Sequence, residues 1–245
     1  MEKVLLKFDV HLRSDQDEHP SYSLVKKFAK SWKPDVIVDG GDFLDLNYIS
    51  TYDERRARLL EGRRFKDDFD LGNRDLDFWQ KIGKVISLEG NHDYRIQNLL
   101  DEQPRFEGLV GFEENLHLEE RGIPFYRLTD SPLQLGKLLV IHGSITTKYT
   151  ARRNLEKYKH NVVCGHVHRF EEASDSLPVL GESIRSWTLG CLSELQPDWR
   201  KGVPTDWCNG LAIMYLDKEN GRFSLYPIYI DKYFEFWFEG RKWKL

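Results

Sequence analysis

Two histidines one residue apart, His166 and His168, close the segment NVVCGHVHRF (161–170). On a strand, residues two apart point to the same side. Two neutral imidazoles at a strand's end can therefore reach one metal ion or two adjacent ones. A polar turn that happens to hold two histidines is the competing explanation. The rest of the chain decides between them. Asp9-Val10-His11 follows the first apolar run, Gly40-Gly41-Asp42-Phe43-Leu44-Asp45 the second, and Gly90-Asn91-His92-Asp93 the third. His142-Gly143 follows the fourth, and Gly165-His166-Val167-His168 the fifth. Five of the eight histidines stand at these positions. Four of the five positions also carry glycine, which lets the backbone turn sharply and approach closely.

The donor types narrow the chemistry. Asp, Asn and His without a thiolate form a borderline-to-hard oxygen and nitrogen set. Such a set suits Mn, Fe, Zn, Ni or Co rather than a cysteine-type structural zinc. Seven donors exceed the needs of one ion and suit two ions ~3.5–4 Å apart that share a carboxylate. Two divalent ions beside two carboxylates and a hydroxide keep net positive charge, which attracts a phosphate anion.

Short buried strands must position these residues. The runs KVLLKF (3–8), DVIVD (35–39), KVISL (84–88), KLLVI (137–141) and NVVC (161–164) have strand length and are rich in Val, Ile and Leu. Helical character lies between them. Residues 21–32 place Leu24, Val25, Phe28 and Ala29 at helical spacing. Thr51 and Glu54 have the spacing of a capping box that starts a helix through RRARLLEGRRF. Gly72-Asn73 breaks that helix before residues 75–82 resume it. The tail runs GLAIMYL, FSLYPIYI and KYFEFWFEG read as a strand meander. Strands alternating with helices predict an α/β layered fold, and the tail adds mixed sheets. In open α/β sheets ligands bind beyond the carboxyl ends of the strands, where every donor above stands.

Bulk properties set limits. The 245 residues suit one large domain, and with no repeat or linker the expectation is a single domain over 1–245. A net charge of -4 argues against a general nucleic-acid coat while leaving room for a local basic patch. Cys164, Cys191 and Cys208 are too few and too scattered for a disulfide framework. The N-terminal MEKVLLKFDV is too charged for a signal peptide, and no apolar run approaches the ~18 residues that span a bilayer. A cytoplasmic protein without a membrane partner is expected.

The ordered set D-x-H, G-D-x-x-D, G-N-H-D, H-G and G-H-x-H, from Asp9 to His168, resembles the calcineurin-like metallophosphoesterase superfamily. TLGCLSEL and DWCNGLAIMYL resemble, more faintly, its phage and prophage branch. The resemblance implies a four-layered α/β sandwich of two mixed β-sheets flanked by helices, with a dinuclear metal site at the strand C-terminal ends. By its motifs Asp9, His11 and His168 would hold one divalent ion, and Asn91, His142 and His166 the other. Asp42 would bridge them, and manganese leads the candidate metals. His92 would contact phosphate and protonate the leaving oxygen after a metal-bridging hydroxide attacks. Asp45 and Asp93 would orient histidines or backbone, or simply shape turns. Arg13 and Arg95 follow their motifs closely and are candidates for touching substrate phosphate.

The implied activity is a hydrolase of phosphate esters, with phosphodiesters placed first. A nuclease or nucleic-acid end-processing phosphatase is the alternative. Its motivation is the basic stretch 55–66, which would track a phosphate backbone if it faced the metals. A non-catalytic member of the same fold has no need of a complete donor set plus His92. Cys164 reads as a small core residue. His19, His117 and His160 read as surface histidines, and the aromatic tail as ordinary strand packing.

Overall fold

The computed structural model describes residues 1–50, 61–179, 181–197, 200 and 202–245. Two mixed sheets face each other. The six-stranded sheet contains β1 (Glu2–Lys7), β2 (Val36–Asp39), β3 (Lys84–Leu88), β4 (Phe125–Tyr126), β10 (Asn209–Leu216) and β11 (Phe223–Ile230). Its order is β11-β10-β1-β2-β3-β4, with β1 to β4 parallel and β10 and β11 antiparallel to their neighbours. The five-stranded sheet contains β5 (Leu133–Leu135), β6 (Leu138–Ile141), β7 (Asn161–Cys164), β8 (Glu171–Leu177) and β9 (Glu182–Thr188). Its order is β5-β6-β7-β9-β8, with β6, β7 and β9 parallel. A separate ribbon pairs β12 (Glu235–Phe238) with β13 (Arg241–Lys244).

Strand alternation divides the core. Val4, Leu6 and Phe8 of the first strand and its exit face the second sheet, where Val140, Val163 and Trp187 meet them. Leu5, Ile37, Val85 and Ile213 face the opposite way, under α1 (Pro20–Trp32) and α2 (Phe65–Gln80). The outer face of the five-stranded sheet carries α5 (Thr150–Tyr158), whose buried Asn154 bonds Cys164 Sγ at 3.2 Å. The layers are therefore α, β, β, α, the expected four-layered sandwich. α3 (Arg95–Glu102) and the single turn α4 (Phe112–Asn115) complete the helices named here. No helix among the described residues is long and apolar enough to cross a membrane.

Local sequence accounts for these elements. In α1 the Leu24, Val25, Phe28, Ala29 spacing gives one fully buried stripe. Each such large apolar side chain stabilises the fold by roughly 1.5–3 kcal/mol relative to exposure. Pro20 opens the helix, and His19, half-buried rather than a surface residue, caps it by accepting the Ser21 N–H.

Three expectations need correction or placement. Gly72-Asn73 does not break α2, which runs unbroken from Phe65 to Gln80. Gly72 serves close packing instead, because a Cβ there would lie 2.8 Å from Leu116 Cδ2 and 3.2 Å from Phe43 Cε1. Asn73 Nδ2 donates to Asn115 O at 2.8 Å. The helix expected after Thr51 falls mainly in residues 51–60, outside the described residues, and Arg63 and Arg64 precede α2 without joining it. The last meander run forms the separate ribbon instead of extending the main sheet.

Candidate metal centre

The ends of β1, β2, β3, β6 and β7 converge. Asp9 is fully buried, and Asp42, His142 and His168 are nearly so. Asp9, His11, Asp42 and His168 form one group whose donor atoms all lie within 4.8 Å of one another. His11 Nε2 stands 3.3 Å from His168 Nε2 and 3.7 Å from Asp42 Oδ2. His168 Nε2 stands 3.5 Å from Asp9 Oδ1. A second group gathers on Asn91, whose Oδ1 lies 3.1 Å from His142 Nε2 and 2.7 Å from His166 Nδ1. Asp42 touches both groups, since its Oδ1 lies 3.5 Å from His142 Nε2. His166 and His168, on opposite sides of Val167, thus face different groups.

The backbone aims these side chains at a cost. Asp9 (φ 53°), His11 (49°), Asp42 (53°), His166 (69°) and His168 (56°) all occupy the left-handed region. A non-glycine residue rarely goes there, and such strain concentrates at functional sites. Hydrogen bonds hold the conformation. Asp9 N–H donates to Gly41 O at 3.1 Å, His11 N–H to Asp42 O at 2.9 Å, and Cys208 N–H to His168 O at 2.7 Å. Gly41, at φ 98°, lies so close to Gly90 that a Cβ would stand 2.8 Å from the Gly90 nitrogen.

The electrostatics suit a cation. Asp9 pairs with His142 and His168, and Asp42 with His11 and His142. Asp9 Oδ1 is buried without a hydrogen bond, an uncommon state that an ion would relieve. Burial disfavours the charge of Asp42, but His142, His92 and His11 outweigh it and hold the carboxyl well below the usual range. Burial together with His142 pulls His166 down to about 4, leaving a neutral imidazole able to bind metal. His142 Nδ1 lies 3.0 Å from Gly40 O, which fixes its proton there and leaves Nε2 for the cluster.

The remaining sequence candidates surround this cluster. His92 lies beside His11, with ring centroids 4.3 Å apart. Its Nδ1 is 2.7 Å from Asp45 O, and its backbone N–H donates to Asp42 Oδ1 at 2.7 Å. Asp45 Oδ1 sits 3.6 Å from His11 Nδ1 and 3.4 Å from His92 Nδ1. Asp93 is buried and accepts N–H bonds from Phe43, Leu44 and Gly90 at 3.3, 3.2 and 2.9 Å. Burial and the neighbouring Asp42 raise its carboxyl well above the ordinary value. Arg95 donates to Asp45 O at 2.8 Å and lies 3.0 Å from His92 Nε2. Arg13 bonds Asp15 at 3.0 and 2.8 Å and approaches Asp45 Oδ2 at 3.8 Å.

Two neighbours were not read from the sequence, and a third was read differently. Asn47 accepts from Arg95 at 2.7 Å, and Trp207 packs against His168 at 4.2 Å between centroids. Arg63 corrects the basic-strip expectation. Its side chain is 3% exposed, 3.6 Å from Asp45, 3.7 Å from Asp15 and 3.8 Å from Asp68. Of the other basic residues in that stretch, residues 55, 56 and 58 lie outside the described residues.

Comparison with known proteins shows the family. The model of the calcineurin-like phosphoesterase family matches residues 9–175, more than half of the chain. The chain belongs to that family. As a calcineurin-like phosphoesterase it is a member of a class of metal-dependent hydrolases of phosphate esters, and the match opens at Asp9. Among solved structures it is similar to a single mutant of Vps29 from Entamoeba histolytica, at 10% identity and a TM-score of 0.48, over 99% of each chain. It is also similar to a hypothetical protein from Pyrococcus horikoshii OT3, at 13% identity and a TM-score of 0.43, over 95% of this chain and 90% of that one. No curated protein matches the chain by sequence.

Proposed function

We propose that residues 1–245 form one cytoplasmic domain that hydrolyses phosphodiesters with two divalent ions. The contact of Asp42 with both donor groups carries this reading. Asp9, His11 and His168 would hold one ion, Asn91, His142 and His166 the other, and Asp42 both. Manganese is the first choice, with Fe, Zn, Ni and Co suited to the same donors. When bound, the pair would supply Lewis acidity toward phosphoryl oxygens and a nucleophile derived from water.

The chain's own residues do the rest. Asp45 O accepts the Nδ1 proton of His92, so the doubly protonated ring would deliver its second proton, on Nε2, to the departing ester oxygen. Arg95 stands beside that nitrogen and adds positive charge toward the phosphoryl group. The three N–H bonds of Asp93 tie the Gly90 turn to the Phe43-Leu44 turn, holding the Asp42 and Asn91 segments in register. Asp45 spans His11 and His92 and so couples the ion-holding side to the proton-donating side. Arg63 is buried among carboxylates instead of forming a basic face, which favours small diesters over nucleic acid.

Elemental analysis and turnover together test the reading. The wild-type protein should carry two ions per chain and cleave bis-nitrophenyl phosphate faster than the monoester. Asp42→Ala should lose turnover and weaken both ions. Full occupancy of two ions in that variant would remove the bridging role. A large monoester preference in the wild type would reverse the substrate order.

A further inference from the structure

Two cavities with separate linings reach the centre. The first, about 80 Å³, is lined by His11, His92, His168, Arg13, Asn47 and Trp207 among others. It shares His11, Arg13 and Glu194 with a neighbouring cavity of about 650 Å³. The second opens beyond Asn91, His142 and His166 and holds about 570 Å³. None of its lining residues belongs to the first side.

His92 decides what each side receives. The departing oxygen must face His92, so the leaving group lies in the first cavity. A monoester has nothing more to place. A diester keeps one organic group on phosphorus, and the second cavity opens beside it at Asn91, His142 and His166. Its volume falls within the usual range for an organic ligand, roughly 300–1,000 Å³. Tyr126 and Tyr158 line it with Leu128, Leu133 and Val140, an apolar wall carrying two aromatic rings. Aromatic walls favour flat rings through offset or edge contacts. Lys157 also lines it, with Nζ 5.1 Å from the Tyr158 ring centroid.

We propose that this second cavity binds the ester group retained on phosphorus, and that the group is aromatic and up to nucleoside size. The proposal rests on the two-ion diesterase reading. It makes Tyr126 and Tyr158 specificity-determining residues.

The test uses the metal-loaded full chain and three p-nitrophenyl phosphodiesters with one leaving group. Their retained groups are methyl, phenyl and thymidin-5′-yl. The ratio of kcat/KM to that of the methyl ester is the readout, because damage to the metals or the fold cancels in it. The aromatic esters should lead by about tenfold or more. Thymidinyl ahead of phenyl assigns the site to nucleosides, and equality assigns it to simple aromatic esters. Ser131→Trp, from an exposed lining position, should fill the cavity, and Tyr158→Ala should strip its wall. Each should bring the ratio to within about twofold of one. A wild-type ratio near one overturns the proposal, as does a high ratio that neither variant changes. Failure of the underlying diesterase reading looks different: none of the three diesters turns over while p-nitrophenyl phosphate does.

Discussion

Removing the ammonium of Lys7 should cost the fold several kcal/mol, and the cost should grow with pH. Lys7 and Asp39 are register partners across β1 and β2, each 1% exposed, and their side chains form an ion pair. The rings of Tyr22, Phe43 and Trp79 surround Nζ with centroids at 5.5, 5.2 and 5.6 Å. Lys7→Met keeps the volume but leaves Asp39 alone in that setting. Burial already raises the Asp39 carboxyl above its ordinary value, with Lys7 opposing the rise, so the variant raises it further. A raised carboxyl is protonated in both states at low pH and carries no penalty there. Above the unfolded value of about 3.9 the native state must retain a proton that the unfolded chain releases, at about 1.36 kcal/mol per pH unit. Wild type, whose own Asp39 is already raised, carries part of that penalty, so relative to it the cost at pH 7 is at most roughly 4 kcal/mol, in line with the 3–5 kcal/mol for breaking a buried pair. At pH 5 it is at most roughly 1.5 kcal/mol. Lys7→Met with Asp39→Leu removes the orphaned carboxyl and should recover most of the loss. Urea melts followed by tryptophan fluorescence from pH 5 to 8 measure all three proteins. The reasoning is refuted if Lys7→Met stays within about 1 kcal/mol of wild type at pH 8, or if its penalty does not grow with pH.

Arg63→Met should destabilise by about 3 kcal/mol or more, since Asp45 and Asp68 lose a buried cation, and should lower kcat by releasing Asp45. Wild-type kcat in a folded Arg63→Met protein would end the positioning argument. His92→Ala should lose roughly 10²–10⁴-fold on esters with poor leaving groups and less on nitrophenyl esters, at unchanged metal content; equal losses across a leaving-group series would exclude proton donation. Burial pushes the Cys164 thiol up to about 12 and the Cys208 thiol up to about 11. At pH 8 about one in a thousand Cys208 thiols, and fewer at Cys164, would be the reactive thiolate. A chromogenic disulfide reagent should therefore find no fast reaction at either cysteine in the native protein. It should titrate three thiols after denaturation, and rapid native labelling of Cys164 or Cys208 would contradict the cause assigned.

The parts of the fold that sequence revealed are those whose signal is local. Strands β1, β2, β3 and β7 are buried on both faces over most of their length and β6 on one, so each reads as a short, largely apolar run. A donor one to three positions past each strand end, Asp9, Asp42, Asn91, His142 or His166, then stands where the structure places a site side chain. Signals that depend on distant partners were not legible. Gly72 reads as a breaker until Leu116 and Phe43 are seen against it. Arg63 reads as part of a basic strip because Asp15, Asp45 and Asp68 come from three other places in the chain. β8 and β9 escaped notice because β8 buries no residue fully and its EEASDSL sequence resembles a loop.

The backbone strain at the centre explains why such local reading works there. Asp9, His11, Asp42, His166 and His168 each hold a left-handed conformation that costs roughly 1 kcal/mol or more. A flexible loop would relax out of it. Here each of these residues lies within a few positions of a strand end, and ladders to neighbouring strands fix where each turn begins. Gly41 and Gly90 let two of the turns pass close enough for Asp42 to reach both donor groups. The apolar runs and the donors after them are thus one device. The first supplies the rigidity that the second needs to stay strained, so a sequence that encodes the donors must also encode the strands that hold them.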